Sequence, residues 1–375
     1  MKIIHVISYF VPNAGYQENL LTLGQSELGH EVYVLTSHLE PEFDINKNNR
    51  SHDYGWYQYE NIKVKRLEIY FEMLNRFVLL KNLYRELSEI KPDLIFYHSY
   101  DPGILPVLFY KLFNRKTKLV IDIHSDYNNS MNSWYGPTYH RLFLKNTIKL
   151  THRLIDRVFA VSPETERFAK EVYNFKKDKL SILPLPGDSR IISDYDNIRK
   201  KVRERYSIKA NELVFLHSGK LPEKKKTEEL LEAFSSIKSS NIKLFIAGSI
   251  NKEFEDKFNN YLKKDNRIIF VGWITAEELR KYMIASDLLI QPGSLSNTFI
   301  DAICMKLPLL LHETPQGKYL TSSGNGLLMK DNDVESIKKM IDFIINDNVL
   351  AKLKENANLI YKKYDYVEVA KESLK

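Results

Sequence analysis

Short apolar runs recur along the chain, and most stop at a glycine, histidine or proline before a segment of helical spacing begins. Lys2–Ser8, Val32–Thr36, Pro92–His98, Lys118–His124 and Arg157–Ser162 form a first series; Leu213–Lys220, Lys243–Ala247, Arg267–Val271, Leu288–Ile290 and Leu307–Leu311 form a second. Short runs rich in Val, Ile, Leu and Phe read as strands buried on both faces, and strands alternating with amphipathic helices close as right-handed βαβ units. Between the series, residues 189–211 carry charge without a sustained apolar run, with one basic helix at Asp196–Tyr206, as expected of a linker. The pattern implies an α/β chain of two doubly wound domains, 1–190 and 191–375, facing a cleft. The last helix, ending at Lys363, is expected to pack back on the first domain.

Composition narrows the class. A lone cysteine, Cys304, inside an apolar helical segment excludes a disulfide framework and suits a reducing compartment. A net charge of +7 points to acidic partners: nucleic acid, anionic lipid or phosphorylated small molecules. Nucleic acid has only this bulk charge in its favour, with no recognisable reader motif, and is not expected. No apolar run approaches the roughly 20 residues of a membrane span, and the opening run is broken by Tyr9–Asn13, too early for a signal peptide. The expected location is cytoplasmic, with peripheral contact at the inner face of the cell membrane.

Residues 286–311 are the most informative stretch. An apolar run stops at Pro292–Gly293, a Ser/Asn/Thr loop follows, a helical segment carries Asp301, and a second apolar run resumes at Leu307. Such a loop lies at the carboxyl end of a strand, where open α/β sheets bind ligands, and Ser296 or Asn297 would cap a helix facing an anion. Near the start, Pro12–Gly15 makes a glycine turn between the first strand and a helix over Tyr16–Leu28. His98 and His124 each stand where an apolar strand runs out into a loop. Ser37–Glu60 reads as an excursion, Ile62–Ile69 as a strand and Phe71–Ile90 as a helix. Arg141, Lys145, Lys149, Arg153 and Arg157 recur at every fourth position, a basic stripe on an expected helix from Tyr139 to Arg157. Without acidic partners, the stripe suits an anionic membrane surface or a lipid diphosphate.

The order of these elements, with the residues at their junctions, resembles the GT-B retaining glycosyltransferases of family 4 over nearly the whole chain. Pro12–Gly15 and Gly29-His30-Glu31-Val32 match that family's glycine-turn helix and the start of its second strand. Ser218-Gly219-Lys220-Leu221-Pro222-Glu223-Lys224-Lys225-Lys226 is similar to its Gly-Arg-Leu…Glu-Lys-Gly segment, with Lys220 for the arginine and Lys225 for the lysine. The resemblance implies two Rossmann-like domains, an acceptor-binding one and a nucleotide-sugar-binding one. It makes Lys220 and Lys225 the cations of the donor diphosphate, His124 a contact to the sugar, and Asp301 the acceptor of ribose hydroxyls. Gly15, Ser218 and Gly219 would lie along the donor, Gly272 and Trp273 beside its base, and Ser296, Asn297 and Thr298 by sugar or phosphate. His98 would stand on the acceptor side. Two departures stand out: Gly293 occupies the place of the first family glutamate, and Lys306-Leu307-Pro308 replaces Gly-x-Pro.

The expected activity is metal-independent transfer, with retention, of a hexosyl or N-acetylhexosaminyl group from a nucleotide-sugar, preferably a UDP-sugar, to a glycan or lipid-linked acceptor in surface polysaccharide or glycoconjugate synthesis. No cofactor is expected, since the nucleotide-sugar is a substrate. The missing glutamate motivates the alternative of a non-catalytic GT-B subunit that binds a partner or glycan. An NAD-dependent oxidoreductase fits less well, because no G-x-G-x-x-G follows Ile7 or Leu216.

Overall fold

β1 (Lys2–Ile7) lies in the middle of the first sheet, between β2 (Glu31–Ser37) and β7 (Leu94–His98), parallel to both. The computed structural model describes every residue except 42–49, 74–76, 133, 222, 295–297 and 347–348. Its chain divides into two units, Met1–Pro186 with Tyr366–Lys375, and Gly187–Asp365. The division therefore falls at Pro186, a little before the position near 190 read from the sequence; the helix expected to pack back, ending at Lys363, stays in the second unit, and a later one, Tyr366–Ser373, belongs to the first.

In the first unit the remaining elements are α1 (Gln17–Glu27), β3 (Gly55–Tyr59), β4 (Ile62–Leu67), β5 (Ile69–Met73), β6 (Phe77–Leu80), α2 (Leu83–Ile90), α3 (Leu105–Phe113), β8 (Lys118–Ile123), α4 (Lys145–Thr151), β9 (Arg157–Ala160), α5 (Pro163–Glu171) and β10 (Leu180–Ile182). Among the described residues the sheet runs β10-β9-β8-β7-β1-β2-β4-β3, parallel except for the β3–β4 pair. Ile4, Val6, Ile95, Ile121 and Val158 fill one face. Ile3, Leu21, Phe96 and Phe159 fill the other, together with Val369 and Ala370 of the C-terminal helix (Tyr366–Ser373). Gly24 permits that docking, because a Cβ there would meet the Tyr366 carbonyl oxygen at 2.6 Å.

Two sequence expectations fail here. Phe71–Ile90 is not one helix: β5 and β6 pair as an antiparallel hairpin, and helix starts only after Asn82, in the left-handed conformation at φ 58°. Aromatic and β-branched residues around Ile69–Leu80 favour pleated backbone, so β-propensity wins over a loose helical spacing. The basic stripe is not one helix either. A π-helical stretch, Tyr139–Leu144, leads into α4, which stops at Thr151; Arg153 stands in a turn and Arg157 opens β9, where Val158 and Phe159 are drawn into the sheet. β3, inside the supposed excursion, is a further strand.

The second unit contains α6 (Tyr195–Arg205), β11 (Leu213–Lys220), α7 (Thr227–Ser236), β12 (Ile242–Ser249), α8 (Lys252–Lys264), β13 (Ile268–Gly272), α9 (Ala276–Ala285), β14 (Leu288–Gln291), α10 (Thr298–Cys304), β15 (Leu309–His312), α11 (Pro315–Thr321), β16 (Gly326–Met329), α12 (Val334–Asn346) and α13 (Val349–Ile360). Its sheet runs β13-β12-β11-β14-β15-β16, all parallel. Cys304 is fully buried within α10. Among the described residues no helix is long and apolar enough to cross a membrane.

Candidate functional site

In each sheet the connections change direction once, between β1 and β7 in the first and between β11 and β14 in the second. Loops leaving the carboxyl ends of two such strands part to opposite faces and open a crevice, the usual ligand position in doubly wound sheets.

In the first unit that crevice is a cavity of about 580 Å³, lined among others by Glu18, His98, Asp101, His124, Tyr139 and His140. The strands bring polar side chains together at its floor. Asp122, fully buried on β8, accepts from His98 Nδ1 at 2.9 Å through Oδ2 and from the Ser99 N–H at 2.8 Å through Oδ1; His124 Nε2 lies 3.3 Å from the same Oδ2. Burial opposes the charge of Asp122, but His98 and His124 outweigh it and hold the carboxyl well below its usual range. Desolvation likewise opposes the imidazolium of His124, and Asp122 overcomes it and raises the pKa. The His124 side chain is 45% exposed and faces the cavity, whereas His98 is buried. Asp101, also buried, accepts from Tyr97 OH and the Gly103 N–H through Oδ1, and burial pushes its pKa up to about 6. The conformation of Gly15, at φ +69°, allows the turn that places Glu18 on the cavity wall.

In the second unit the loops after β11 and β14 are laced together. Lys225 Nζ donates to the Ser294 carbonyl at 2.6 Å, and the Ser294 N–H donates to the Lys224 carbonyl at 2.8 Å. Lys225 is only 5% exposed, and no carboxylate pairs with it among the described residues. Burial, with Lys224 adding to it, lowers its pKa to about 8. Gly219, at φ +128°, passes over it: a Cβ there would sit 3.9 Å from Lys225 Nζ. Lys220 is exposed at the strand end. Two buried groups beside this lattice have no hydrogen-bond partner among the described residues: the Ser218 hydroxyl and both amide atoms of Gln291. Extending the β11–β14 register past Leu216↔Leu289 sets Ser218 beside Gln291 on one face of the sheet. Buried polar atoms left unpaired cost free energy, and here two such groups stand together where the loops after β11 and β14 begin.

Two family models cover most of the chain: Glycosyltransferase Family 4 matches residues 20–188 and Glycosyl transferases group 1 matches residues 198–365. The chain belongs to the GT-B glycosyltransferases of family 4. An uncharacterized glycosyltransferase of Methanocaldococcus jannaschii is 24% identical over 410 residues, spanning 99% of this chain and 97% of that one. The chitobiosyldiphosphodolichol beta-mannosyltransferase of Debaryomyces hansenii is 23% identical over 68% of this chain and 61% of its own length. Among solved structures, Anabaena HepE in complex with UDP superposes with a TM-score of 0.68 at 17% identity, covering 99% of this chain and 98% of that one.

This glycosyltransferase gathers only some of its sequence-read site residues. His98 and His124 meet at one carboxylate, and Gly219 and Lys225 meet where the loops after β11 and β14 are laced together, with Ser218 buried on β11. Gly272, at φ +75°, is the last residue of β13, and Trp273, 65% exposed, follows it. Thr298 opens α10, while Ser296 and Asn297 lie outside the described residues. Asp301 is already engaged: Oδ2 lies 3.5 Å from Arg280 Nη1 and Oδ1 accepts the Asp188 N–H at 3.3 Å, while burial, against the pull of Arg280, raises its pKa. Gly293 explains the missing glutamate in steric terms. A Cβ there would meet the Lys224 carbonyl oxygen at 2.2 Å, so the loop course excludes any side chain at this position. Lys306, standing for the family's glycine, keeps a left-handed backbone at φ 58° with its ammonium 4.8 Å from the Tyr361 ring centre. Arg141, Lys145, Lys149 and Arg153 are all exposed. Sequence reading missed His5, Glu18, Gln25, Asp101, Asp122 and Gln291; His5, Asp122 and Gln291 share one signal, a polar residue inside an apolar strand.

Proposed function

We propose that the chain moves a sugar, with retention, from a nucleoside diphosphate donor, preferably a UDP-sugar, to a hydroxyl of a glycan or lipid-linked acceptor. One observation carries this reading: Lys225, a buried ammonium with no carboxylate partner among the described residues, ties together the loops after β11 and β14 of the second unit. A desolvated cation held by one carbonyl is suited to an anion, and charge-assisted contacts to a diphosphate are strong where water is excluded. As the sugar–phosphate bond breaks, negative charge grows on the departing diphosphate; Lys225 and the exposed Lys220 would neutralise it, and Ser218 and Gln291 would find partners on the bound donor. His124, biased toward its charged form by Asp122, would donate to a hydroxyl of the transferred sugar. The first unit's cavity, with Tyr139 on its wall and Asp101 at its floor, would take the acceptor; aromatic rings suit the C–H face of a sugar and a carboxylate accepts from its hydroxyls.

Two similar proteins add support: HepE was solved with UDP, and the Debaryomyces relative is named a chitobiosyldiphosphodolichol beta-mannosyltransferase. Exposed Leu142, Phe143 and Leu150 beside Arg141, Lys145 and Lys149 favour an anionic membrane surface at which a lipid-linked acceptor would be met.

The test is a panel of UDP- and GDP-sugars scored by calorimetry for binding and by nucleotide release for turnover, repeated on Lys225→Ala and Asp301→Ala. Absence of binding by every donor would sink the transferase reading. Binding without turnover across varied acceptors would favour a non-catalytic partner subunit, the reading that the excluded side chain at Gly293 motivates. Flotation with anionic vesicles should weaken when Arg141, Lys145, Lys149 and Arg153 are changed to glutamine; unchanged flotation would remove the membrane from the proposal.

A further inference from the structure

The strand-end histidines of the first unit are not held by Asp122 alone. A chain of hydrogen bonds runs from them through β1 and α1 to the C-terminal helix, across 348 positions of sequence between Gln25 and Ser373. Its direction can be worked out from the far end. Ser373 Oγ donates its one proton to the Ala370 carbonyl at 2.6 Å. Toward Gln25 the hydroxyl can therefore only accept, and the Gln25 amide nitrogen stands 3.1 Å away. The amide is thereby oriented with Oε1 toward His5 Nε2, at 2.7 Å.

A carbonyl oxygen only accepts, so His5 carries its proton on Nε2. His5 is fully buried, and burial with the nearby His98 lowers its pKa to about 3, so the ring is neutral and Nδ1 is bare. Bare Nδ1 must accept, and it faces His98 Nε2 at 2.9 Å. His98 Nδ1, in turn, faces the Asp122 carboxylate at 2.9 Å. Both nitrogens of His98 therefore face acceptors. The reverse direction would turn the Gln25 oxygen toward a Ser373 hydroxyl that has already given its proton away, setting two oxygens against each other. The charged and titratable groups around His98 are His5 from β1, Glu18 from α1, and Asp122 and His124 from β8 and its end. Glu18, whose carboxyl burial pushes upward, touches neither ring in a hydrogen bond.

We propose that Gln25 and Ser373 are positioning residues: through His5 they fix His98 as a donor at both ring nitrogens, so that Asp122 stays clamped between two histidines and presents His124 to the cavity. The C-terminal helix thereby sets the proton arrangement of a site to which it contributes no contact with substrate. The inference rests on the reading of His98 and His124 as site residues, but its test needs neither donor nor acceptor.

The experiment is long-range 1H–15N correlation of the imidazole rings in the full chain labelled with 15N-histidine, near neutral pH. The wild type should show His98 with two protonated nitrogens and His5 with one, on Nε2. Ser373→Ala frees the amide, and His5 should then divide between tautomers; Ser373→Thr, which keeps the hydroxyl, should restore the wild-type pattern. Gln25→Leu should move the His5 proton to Nδ1 and remove the Nε2 proton of His98, leaving one protonated nitrogen there. A bare nitrogen on His98 in the wild type overturns the proposal, as do unchanged His5 and His98 patterns in folded Ser373→Ala and Gln25→Leu. Failure of every nucleotide-sugar to turn over would sink the transferase reading and leave these ring patterns as they are.

Discussion

The crevices of the two units are built on the same plan and finished differently. In the first, the polar side chains His5, Gln25, His98 and Asp122 satisfy one another in a closed series that ends at His124. In the second, among the described residues, Ser218 and Gln291 are buried without side-chain partners and Lys225 Nζ is buried with a single carbonyl. A network with its members paired is rigid before any ligand arrives, while one with orphaned atoms carries a free-energy cost that a ligand can relieve. The first unit is a preorganised surface, and the second is a socket.

Removing a member of the closed series should have the largest effect on stability. Asp122→Ala leaves the buried His98 and the half-exposed His124 without their carboxylate, and removing one partner of a buried pair is a class of change that costs about 3–5 kcal/mol. Denaturant unfolding should read a loss of that size, and a loss below about 1 kcal/mol would show that the series is not the clamp described.

Lys225→Met should behave in the opposite way, costing ligand rather than fold. Hydrogen bonds to charged groups contribute about 1.5–3 kcal/mol, so UDP affinity should fall by roughly one to two orders of magnitude while unfolding stability holds or rises. Its pH dependence follows from the lowered pKa. Below about 8 the lysine is protonated in both folded and unfolded chain, and the burial cost is present in full; between about 8 and 10.5 the unfolded chain binds more protons, so stability rises with pH. UDP affinity should move the other way and weaken as pH passes 8. Affinity unchanged from pH 7 to 9.5 would take Lys225 out of the anion site.

Much of the fold was legible because buried parallel strands announce themselves: nearly every apolar run read as a strand is one, and the helix at Ala276–Ala285 was read to its end residues. The β5–β6 hairpin was not, since its alternation is too short to outweigh a helical spacing that continues into α2. Within the candidate site, apolar runs stopping at a histidine pointed to His98 and His124, and family resemblance pointed to Lys225. It could not locate His5 or Gln25, whose role depends on Ser373 arriving from the far end of the chain, and no local pattern encodes that meeting. It did register the absent glutamate at Gly293, but only the close approach of the Lys224 carbonyl turns that absence into a statement about loop course.

The socket is probed more finely by its orphaned side chains. Gln291→Leu replaces two unpaired amide atoms by apolar volume of similar size and should raise stability by about 1–2 kcal/mol. Ser218→Ala is the smaller case: it deletes one hydroxyl, 0% exposed and without a partner among the described residues, and should raise stability by about 0.5–1 kcal/mol, read as a modest increase in Tm. With UDP or a UDP-sugar bound, both gains should shrink or reverse, because the wild-type groups then have partners that the variants lack. The comparison between ligand-free and ligand-bound melting therefore separates two cases. A hydroxyl that merely tolerates burial gives the same gain in both, and a hydroxyl placed for the donor gives a gain only without it. If Ser218→Ala lowers Tm in the free protein, the hydroxyl is already satisfied and the contrast between a finished first unit and a waiting second one fails at this position.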